Sequence, residues 1–329
     1  PGTDNCTKLR PGRAARAPGA GKESRRPAGG LSNREIERSM RVVVIGSGLL
    51  GTSTAWFLRR HGADVTVVDR AEGAGRETSF ANAGMLTPSM ADPWNSPGIL
   101  WRLLRWIGRE NSPMLLRPSA IPSLAGWGLQ FVANSRRARF EPNLLANLRL
   151  ASYSLSVLRQ LRTDASLEYS QSRVGTMRIS RDRKGLRDAD RLAGFLEQRG
   201  VAHRFLDRSG VVETEPALAE IEGQIACGIH YPDDESGDAH LFCRALAERA
   251  TAAGVQFRFG VEISGFRREG NRSAAVTGSE DLEADAFVIA AGSYSPMLAH
   301  RLGVRVPVRP VKGYSITLPA SDWPERPRI

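Results

Sequence analysis

The sequence predicts an α/β fold: a parallel sheet opened by a β-α-β unit, interrupted by a long insertion that forms a second, α+β unit, and resumed far downstream. Three observations predict it. A β-branched run, Val42-Val43-Val44-Ile45, leads directly into Gly46-Ser47-Gly48-Leu49-Leu50-Gly51. A second run, Val65-Thr66-Val67-Val68, ends in Asp69. Much later, Ala286-Phe287-Val288-Ile289-Ala290-Ala291-Gly292 reads as a last buried strand whose terminal glycine lets backbone approach a ligand.

Uninterrupted apolar runs suit strands covered on both faces. After the first run, Leu50, Thr54, Phe57 and Leu58 recur at helical spacing, and Gly62 marks where the helix stops. The glycines have separate tasks: Gly46 for a tight turn, Gly48 for close approach of a pyrophosphate, Gly51 for close packing of helix on strand. The helix start then offers unpaired N–H groups and the positive end of its dipole to phosphates. Asp69 follows Gly51 by 18 residues, close to the offset of about 20 at which a carboxylate meets the ribose hydroxyls of a dinucleotide. An acid there favours an unphosphorylated ribose, hence FAD or NAD over NADP.

Residues 70–86, RAEGAGRETSFANAGML, are turn-rich and show no further strand, whereas a nicotinamide domain should continue with helix and strand. The sheet resumes instead after Asp238, which caps a helix running through Ala253 and ended by Gly254. Val255, Phe257 and Phe259 alternate as a strand, and residues 261–285 suggest a small β-meander. A dinucleotide domain split in this way points to flavin. Between them, Leu144 to Leu161 reads as a long helix, and Gly175 to Ser180 and Gly228 to Tyr231 as strands of a sheet covering the substrate.

Composition narrows the classes. The chain has 329 residues with 46 Lys+Arg against 35 Asp+Glu and 41% hydrophobic residues, which excludes wholesale disorder and small disulfide scaffolds. Its formal charge of +11 is spread over ordinary surface, with four lysines only, and no basic stripe interleaved with aromatics argues for nucleic acid. Cys6, Cys227 and Cys243 have no metal-ligand spacing, nor do the five histidines, so no metal is expected and a reducing compartment is. Residues 1–39, rich in Pro, Gly, Ala and Arg, read as a disordered basic extension upstream of a domain that begins at Met40.

Residues 99–109, ILWRLLRWIGR, put Leu100, Leu103, Leu104 and Ile107 on one helical face, with Arg102, Arg105 and Arg109 elsewhere and tryptophans beside them. Such a helix suits a membrane surface; packing on its own domain is the preferred reading.

The chain resembles the FAD-dependent D-amino acid dehydrogenases of small-subunit type, within the D-amino-acid oxidase and glycine oxidase superfamily. The stretches that carry this are VVVIGSGLLGTSTAWFLRRHG from Val42, ETSFANAGML from Glu77, NLRLASYSLSVLRQLR from Asn147, ESGDAHLFCRALAERATAAGV from Glu235, ADAFVIAAGSYSPML from Ala284 and PVRPVKGYSIT from Pro307. ETSFANAGML and the last two are more discriminating than the glycine turn.

The resemblance implies an FAD-binding Rossmann-like domain over residues 40–92 and 235–302, and a substrate domain over 93–234 and 303–329 that covers the flavin and is incomplete at its C-terminus. It implies that the FAD phosphates lie on Val44, Ile45, Gly46, Ser47, Gly48, Leu49, Leu50 and Gly51, the adenine ribose on Asp69 and Arg70, and the inner flavin near Ser79, Asn82, Ala83, Gly84 and Met85. Val261 or Ile263 would line the adenine, and Ala291 and Gly292 the phosphate end. Oxidation by hydride transfer to flavin requires no conspicuous general base, and none is visible; Tyr231, Lys312 and Tyr314 are the candidates to touch substrate, while His240 is read as packing. The expected activity is oxidative deamination of D-amino acids to 2-oxo acids and ammonia. Electrons would pass to a quinone or other respiratory-chain acceptor, in the cytoplasm or at the inner face of the cytoplasmic membrane. The alternatives are an oxygen-using amine oxidase of glycine or sarcosine type, and a flavin-binding remnant without turnover.

Overall fold

The computed structural model describes residues 39–110, 112, 117–182, 193–270, 272–314 and 327–329. The expected disorder of the basic extension falls on 1–38, outside the described residues. The central sheet has the order β12-β1-β2-β8. It is built from β1 (Arg41–Ile45), β2 (Asp64–Asp69), β8 (Gln256–Phe259) and β12 (Ala286–Ile289), all parallel. The register places Val44 opposite Val67 on one side and Val288 on the other, so the sheet is assembled from two ends of the sequence.

Strand alternation distributes the β-branched runs between two layers. Val42, Val44, Val65 and Val67 face helix α1 (Leu49–Arg60) and the long helix after Asp238, meeting Ala55 and Ala250. Val43, Ile45 and Val68 face the antiparallel meander of β9 (Gly265–Glu269), β10 (Arg272–Val276) and β11 (Asp281–Ala284), packing on Ile263, Ala275 and Leu282. Covering on both faces explains why the runs contain no polar alternation. Two expectations are corrected. β12 is only half-buried along its length, because among the described residues no strand pairs with its outer side. Leu50 is 73% exposed; α1 buries Gly51, Thr52 and Ala55 instead, a neighbouring face of the same helix.

The insertion contains α2 (Ile99–Trp106), α3 (Ile121–Ala133), the 28-residue α4 (Arg137–Asp164) and an antiparallel sheet of order β4-β6-β5. Its strands are β4 (Thr176–Ser180), β5 (Arg204–Leu206) and β6 (Cys227–Tyr231). Leu144, Leu148, Leu155 and Leu161 form the buried stripe of α4. Leu148 packs on Ile229 and Tyr231 of the sheet, while Leu161 reaches Phe242 and Leu246 of the nucleotide-side helix. The chain crosses between the units through a ladder that the sequence did not suggest: β3 (Met85–Leu86) pairs antiparallel with β7 (Glu235–Ser236). The helices α5 (Arg208–Thr214), α6 (Ala239–Ala252) and α7 (Ser295–Arg301) complete the order.

The preferred packing of α2 on its own domain is observed on one side of the stretch, where Ile99 is buried and Leu103, Trp106 and Ile107 are half-buried. Only Ile99 is buried, and Leu100, Trp101 and Leu104 of its apolar side are exposed. Among the described residues no helix is long and apolar enough to cross a membrane.

Candidate active site: the glycine turn and its acid

The turn between β1 and α1 is closed by backbone contacts. The N–H of Gly46 donates to the Val68 carbonyl at 2.8 Å, and Gly46 has φ +107°. A Cβ on Gly46 would lie 2.5 Å from the Ala290 carbonyl oxygen, and one on Gly51 only 1.8 Å from the Gly46 oxygen. The first turn of α1 therefore sits directly on the glycine turn, which sits on the end of β12. Gly48 is the N-cap and offers no side chain to the helix start, and no acid stands in the first turn. The positive end of the α1 dipole therefore stands at this start, where the Leu49 N–H is taken by the Ser79 hydroxyl.

Two polar side chains close over this start. Ser79, buried, accepts a bond from the Leu49 N–H at 3.3 Å, and its hydroxyl also meets Cys243, whose thiol burial pushes up to about 11. Asp69 turns inward across the mouth of the turn. Its Oδ2 accepts from the Ser47 N–H and from the Ser47 hydroxyl, each at 2.7 Å, and its Oδ1 accepts from the Ala71 N–H at 2.9 Å. A carboxylate offers about four lone-pair positions, so three bonds leave capacity for a sugar hydroxyl. A tight glycine turn, an uncapped helix start and an inward acid together fit an adenine dinucleotide.

The other expected residues divide. Val261 donates its N–H to the Asp69 carbonyl at 2.9 Å, whereas Ile263 is buried in the core beneath the meander; of the two, Val261 stands beside the acid. Val44 and Ile45 have buried side chains, leaving only backbone for a ligand. Arg70 bridges two segments, pairing with Glu77 at 2.5 Å and lying 4.0 Å over the ring of Tyr294. That fixes the loop from Arg70 to Phe80 against the segment holding Ala291 and Gly292, and beyond Gly292 there is open space. Asn82 accepts from the Gly84 N–H at 2.7 Å. Gly84 touches Gly237, where a Cβ would stand 2.0 Å from a carbonyl, so Ala83 and Met85 are carried outward on the β3–β7 crossing. His240 donates its Nδ1–H to the Gly75 carbonyl, 3.1 Å away, and packs on Phe80, as expected of a packing residue.

The substrate candidates are corrected. Tyr231 is buried among Leu148, Leu196 and Ile229, because alternation along β6 turns it toward α4; among the described residues its hydroxyl has no partner, and burial raises its pKa. Lys312 and Tyr314 lie on a surface segment that runs along α3, tied by the Trp127 indole N–H to the Pro307 carbonyl. Tyr314 is 88% exposed, with the Lys312 ammonium over its ring.

Two acids escaped the sequence reading. Glu235, 2% exposed, takes guanidinium bonds from Arg159 and Arg162, each at 2.6 Å. Burial pushes its carboxyl up, but the two arginines hold it below the ordinary range. Asp234 accepts from the hydroxyls of Ser89 at 2.5 Å and Thr176 at 2.6 Å, and burial raises it. The Asp233-Asp234-Glu235 run, with arginines three apart on the preceding long helix, is the signal that could have found them. Among the described residues no cluster fits a metal ion.

Comparison with known proteins agrees with this geometry. The family model described as DAO: FAD dependent oxidoreductase matches residues 41–328. A protein named D-amino acid dehydrogenase from Paramagnetospirillum magneticum is 44% identical over 292 residues, covering 88% of this chain and 69% of that protein. One of the same name from Vibrio vulnificus (strain YJ016) is 39% identical over 289 residues, with 88% and 69% covered. Among solved structures, glycine oxidase from Bacillus cereus superposes with a TM-score of 0.57 at 22% identity, over 80% of this chain and 58% of that one. L-Proline dehydrogenase from P. horikoshii superposes with a TM-score of 0.59 at 16% identity, over 81% and 56%. These two likenesses establish the fold, of which the chain spans somewhat over half. The sheet, the glycine turn and the family match lead to one conclusion: the chain belongs to the DAO family of FAD dependent oxidoreductases.

Proposed function

We propose that the protein oxidatively deaminates D-amino acids to 2-oxo acids and ammonia, passing electrons to a quinone or other respiratory-chain acceptor. The observation that carries the reading is the Asp69–Ser47 pair over the glycine turn, in a chain whose relatives at 39–44% identity bear the name D-amino acid dehydrogenase. Residues 40–92 and 235–302 form the cofactor half, and 93–234 with 303–329 belong to the half that covers it. Gly46 to Gly51 would hold the phosphates of FAD through backbone N–H groups, Asp69 with Val261 the adenine ribose end, and the Ser79 to Met85 loop the inner part of the cofactor. When bound, the flavin supplies a two-electron sink for the substrate's α-hydrogen. The chain's own part is to fix the cofactor and orient the neutral amine; water hydrolyses the released imine. The inner face of the cytoplasmic membrane is the location that goes with such an acceptor.

The test is the visible spectrum of the purified protein before and after anaerobic D-alanine, followed by an artificial quinone. Bleaching, and quinone reduction without hydrogen peroxide, support the proposal. Peroxide release would assign a glycine or sarcosine type oxidase, and a yellow protein that no D-amino acid bleaches would be a flavin-binding remnant.

A further inference from the structure

The sheet order places β1 between β2 and β12, with all three strands parallel. Strand order therefore reverses at β1, and a crevice beyond the carboxyl ends of strands at such a reversal is where an open parallel sheet binds its nucleotide. The floor of that crevice is the glycine turn. Arg70 leaves the tip of β2 on one side, and Tyr294 follows the tip of β12 on the other. The two side chains meet: the Arg70 guanidinium stands 4.0 Å from the centre of the Tyr294 ring. This contact joins strands that do not pair with each other, so it spans the end of β1, which lies between them.

A second contact completes the span. Glu77, on the loop after β2, holds the same guanidinium at 2.5 Å. That loop is seated on the helix side of the sheet. The Gly75 N–H donates to the Ser47 carbonyl at 3.0 Å, and a Cβ on Gly75 would meet Cys243 of α6 at 2.8 Å. Tyr294 leads instead into α7, whose Leu298 packs with the meander on the opposite face. The guanidinium thus ties the two layers together across the crevice, from a carboxylate on one to a ring on the other.

The sheet does not need this bridge for its own stability. The Arg70 and Glu77 side chains are 41% and 51% exposed, and Tyr294 is 39% exposed. Ion pairs and cation–π contacts so open to water add little to folding. Three weakly held groups reaching over a binding crevice are suited to parting and closing again, and so to governing how long a bound molecule stays.

We propose that Arg70, Glu77 and Tyr294 form a latch across the cofactor crevice that slows the release of bound FAD. The inference rests on the reading that the glycine turn holds FAD, and it extends the residues that retain the cofactor to Glu77 and Tyr294. Loading and release require the guanidinium and the ring to separate.

The experiment is exchange of FAD bound to the full chain against an excess of radiolabelled FAD, which reads the dissociation rate without substrate or turnover. Tyr294→Leu and Arg70→Gln should each release FAD about three- to tenfold faster. The double variant should release it no faster than the quicker single one, because both substitutions remove one contact. Tyr294→Trp, which offers a larger ring face to the cation, should release FAD no faster than the parent. The melting temperature of the flavin-free protein should stay at the parent value in each variant, with only the flavin-loaded form lowered. Equal lowering of both forms means lost structure and overturns the proposal. So do multiplying effects in the double variant, and so does slower release or tighter binding in the single ones, which would show that the bridge competes with FAD for the crevice. A parent protein that takes up no FAD overturns the reading of the glycine turn and the latch with it, whereas uptake with unchanged release in the variants strikes the latch alone.

Discussion

Asp69 and Ser47 meet twice across the mouth of the glycine turn, the carboxylate accepting from both the backbone N–H and the hydroxyl at 2.7 Å. The pair ties the tip of β2 to the loop after β1, and places the negative charge beside the helix start and not in bulk solvent. Loss of a charged acceptor costs about 1.5–3 kcal/mol. Asp69→Ala is therefore expected to weaken FAD binding by about 10- to 100-fold, measured by titrating the apoprotein and following flavin fluorescence. An unchanged dissociation constant would remove Asp69 from the site.

Steric packing at the turn gives a second prediction. A Cβ at Gly51 would overlap the Gly46 carbonyl at 1.8 Å, so Gly51→Ala must push α1 off the sheet. A loss of at least about 2 kcal/mol is expected. The control is Gly126→Ala in α3, where nothing lies within 4 Å; there the better helix propensity should add about 0.5–1 kcal/mol. Urea unfolding of both variants checks the opposite signs.

Fold signals of short range were legible in the sequence. The Gly46 to Gly51 spacing, the Asp238 cap, whose carboxylate accepts from the Leu241 N–H at 2.8 Å, and the meander are patterns of residues a few positions apart, even though Gly46 itself meets Val68 and Ala290 far along the chain. The missed features depend on partners far along the chain. Two residues, Met85 and Leu86, become a strand only because Glu235 and Ser236 arrive beside them. Leu50 fits a helical apolar pattern but faces outward, since packing of α1 was decided by the small Gly51, Thr52 and Ala55. Tyr231 resembled a site residue until alternation in β6 turned it into the core. The glycine turn and the inward Asp69 were thus readable, and the placement of Tyr231 was not.

The buried Glu235 gives a third prediction. Glu235→Gln leaves Arg162, itself mostly buried, without its anion, while Arg159 is nearly half exposed and remains hydrated. A loss of about 2–4 kcal/mol is expected. Because the arginines hold the folded carboxyl below its unfolded value, its contribution is present above the ordinary glutamate range and lost as pH falls through the lowered value. The stability gap between parent and variant should close in acid, as denaturant midpoints over a pH series would reveal.

Asp234 should behave in the opposite sense. Burial raises its folded pKa despite the Ser89 and Thr176 bonds, so its contribution is greatest below the ordinary aspartate range and declines as pH rises through the raised value. Asp234→Asn keeps an oxygen for both hydroxyls and carries no charge. Relative to the parent, the variant should gain stability as pH rises above the ordinary aspartate range; a gap that narrows as pH rises would contradict the assignment.

Cys243 offers a chemical readout of the same loop. With its thiol near 11 and no exposure, only about one molecule in a thousand carries the thiolate at pH 8. Native protein should resist labelling at Cys243 by a disulfide reagent, and Ser79→Ala, which removes the hydroxyl bond that lowers the thiol's pKa, should slow that reaction further. Mass spectrometry of labelled peptides would locate the modification.

The pairing of β1 with β12 has a consequence for biosynthesis. The second neighbour of the first strand is more than 240 residues downstream, so at about 5–20 residues per second the ribosome needs roughly 10–50 s to make it. During that interval β1 presents an unsatisfied apolar edge, the kind that invites association between nascent chains. The intervening helical unit, whose contacts are more local, is free to fold first and to hold the early strand in waiting until its partner emerges.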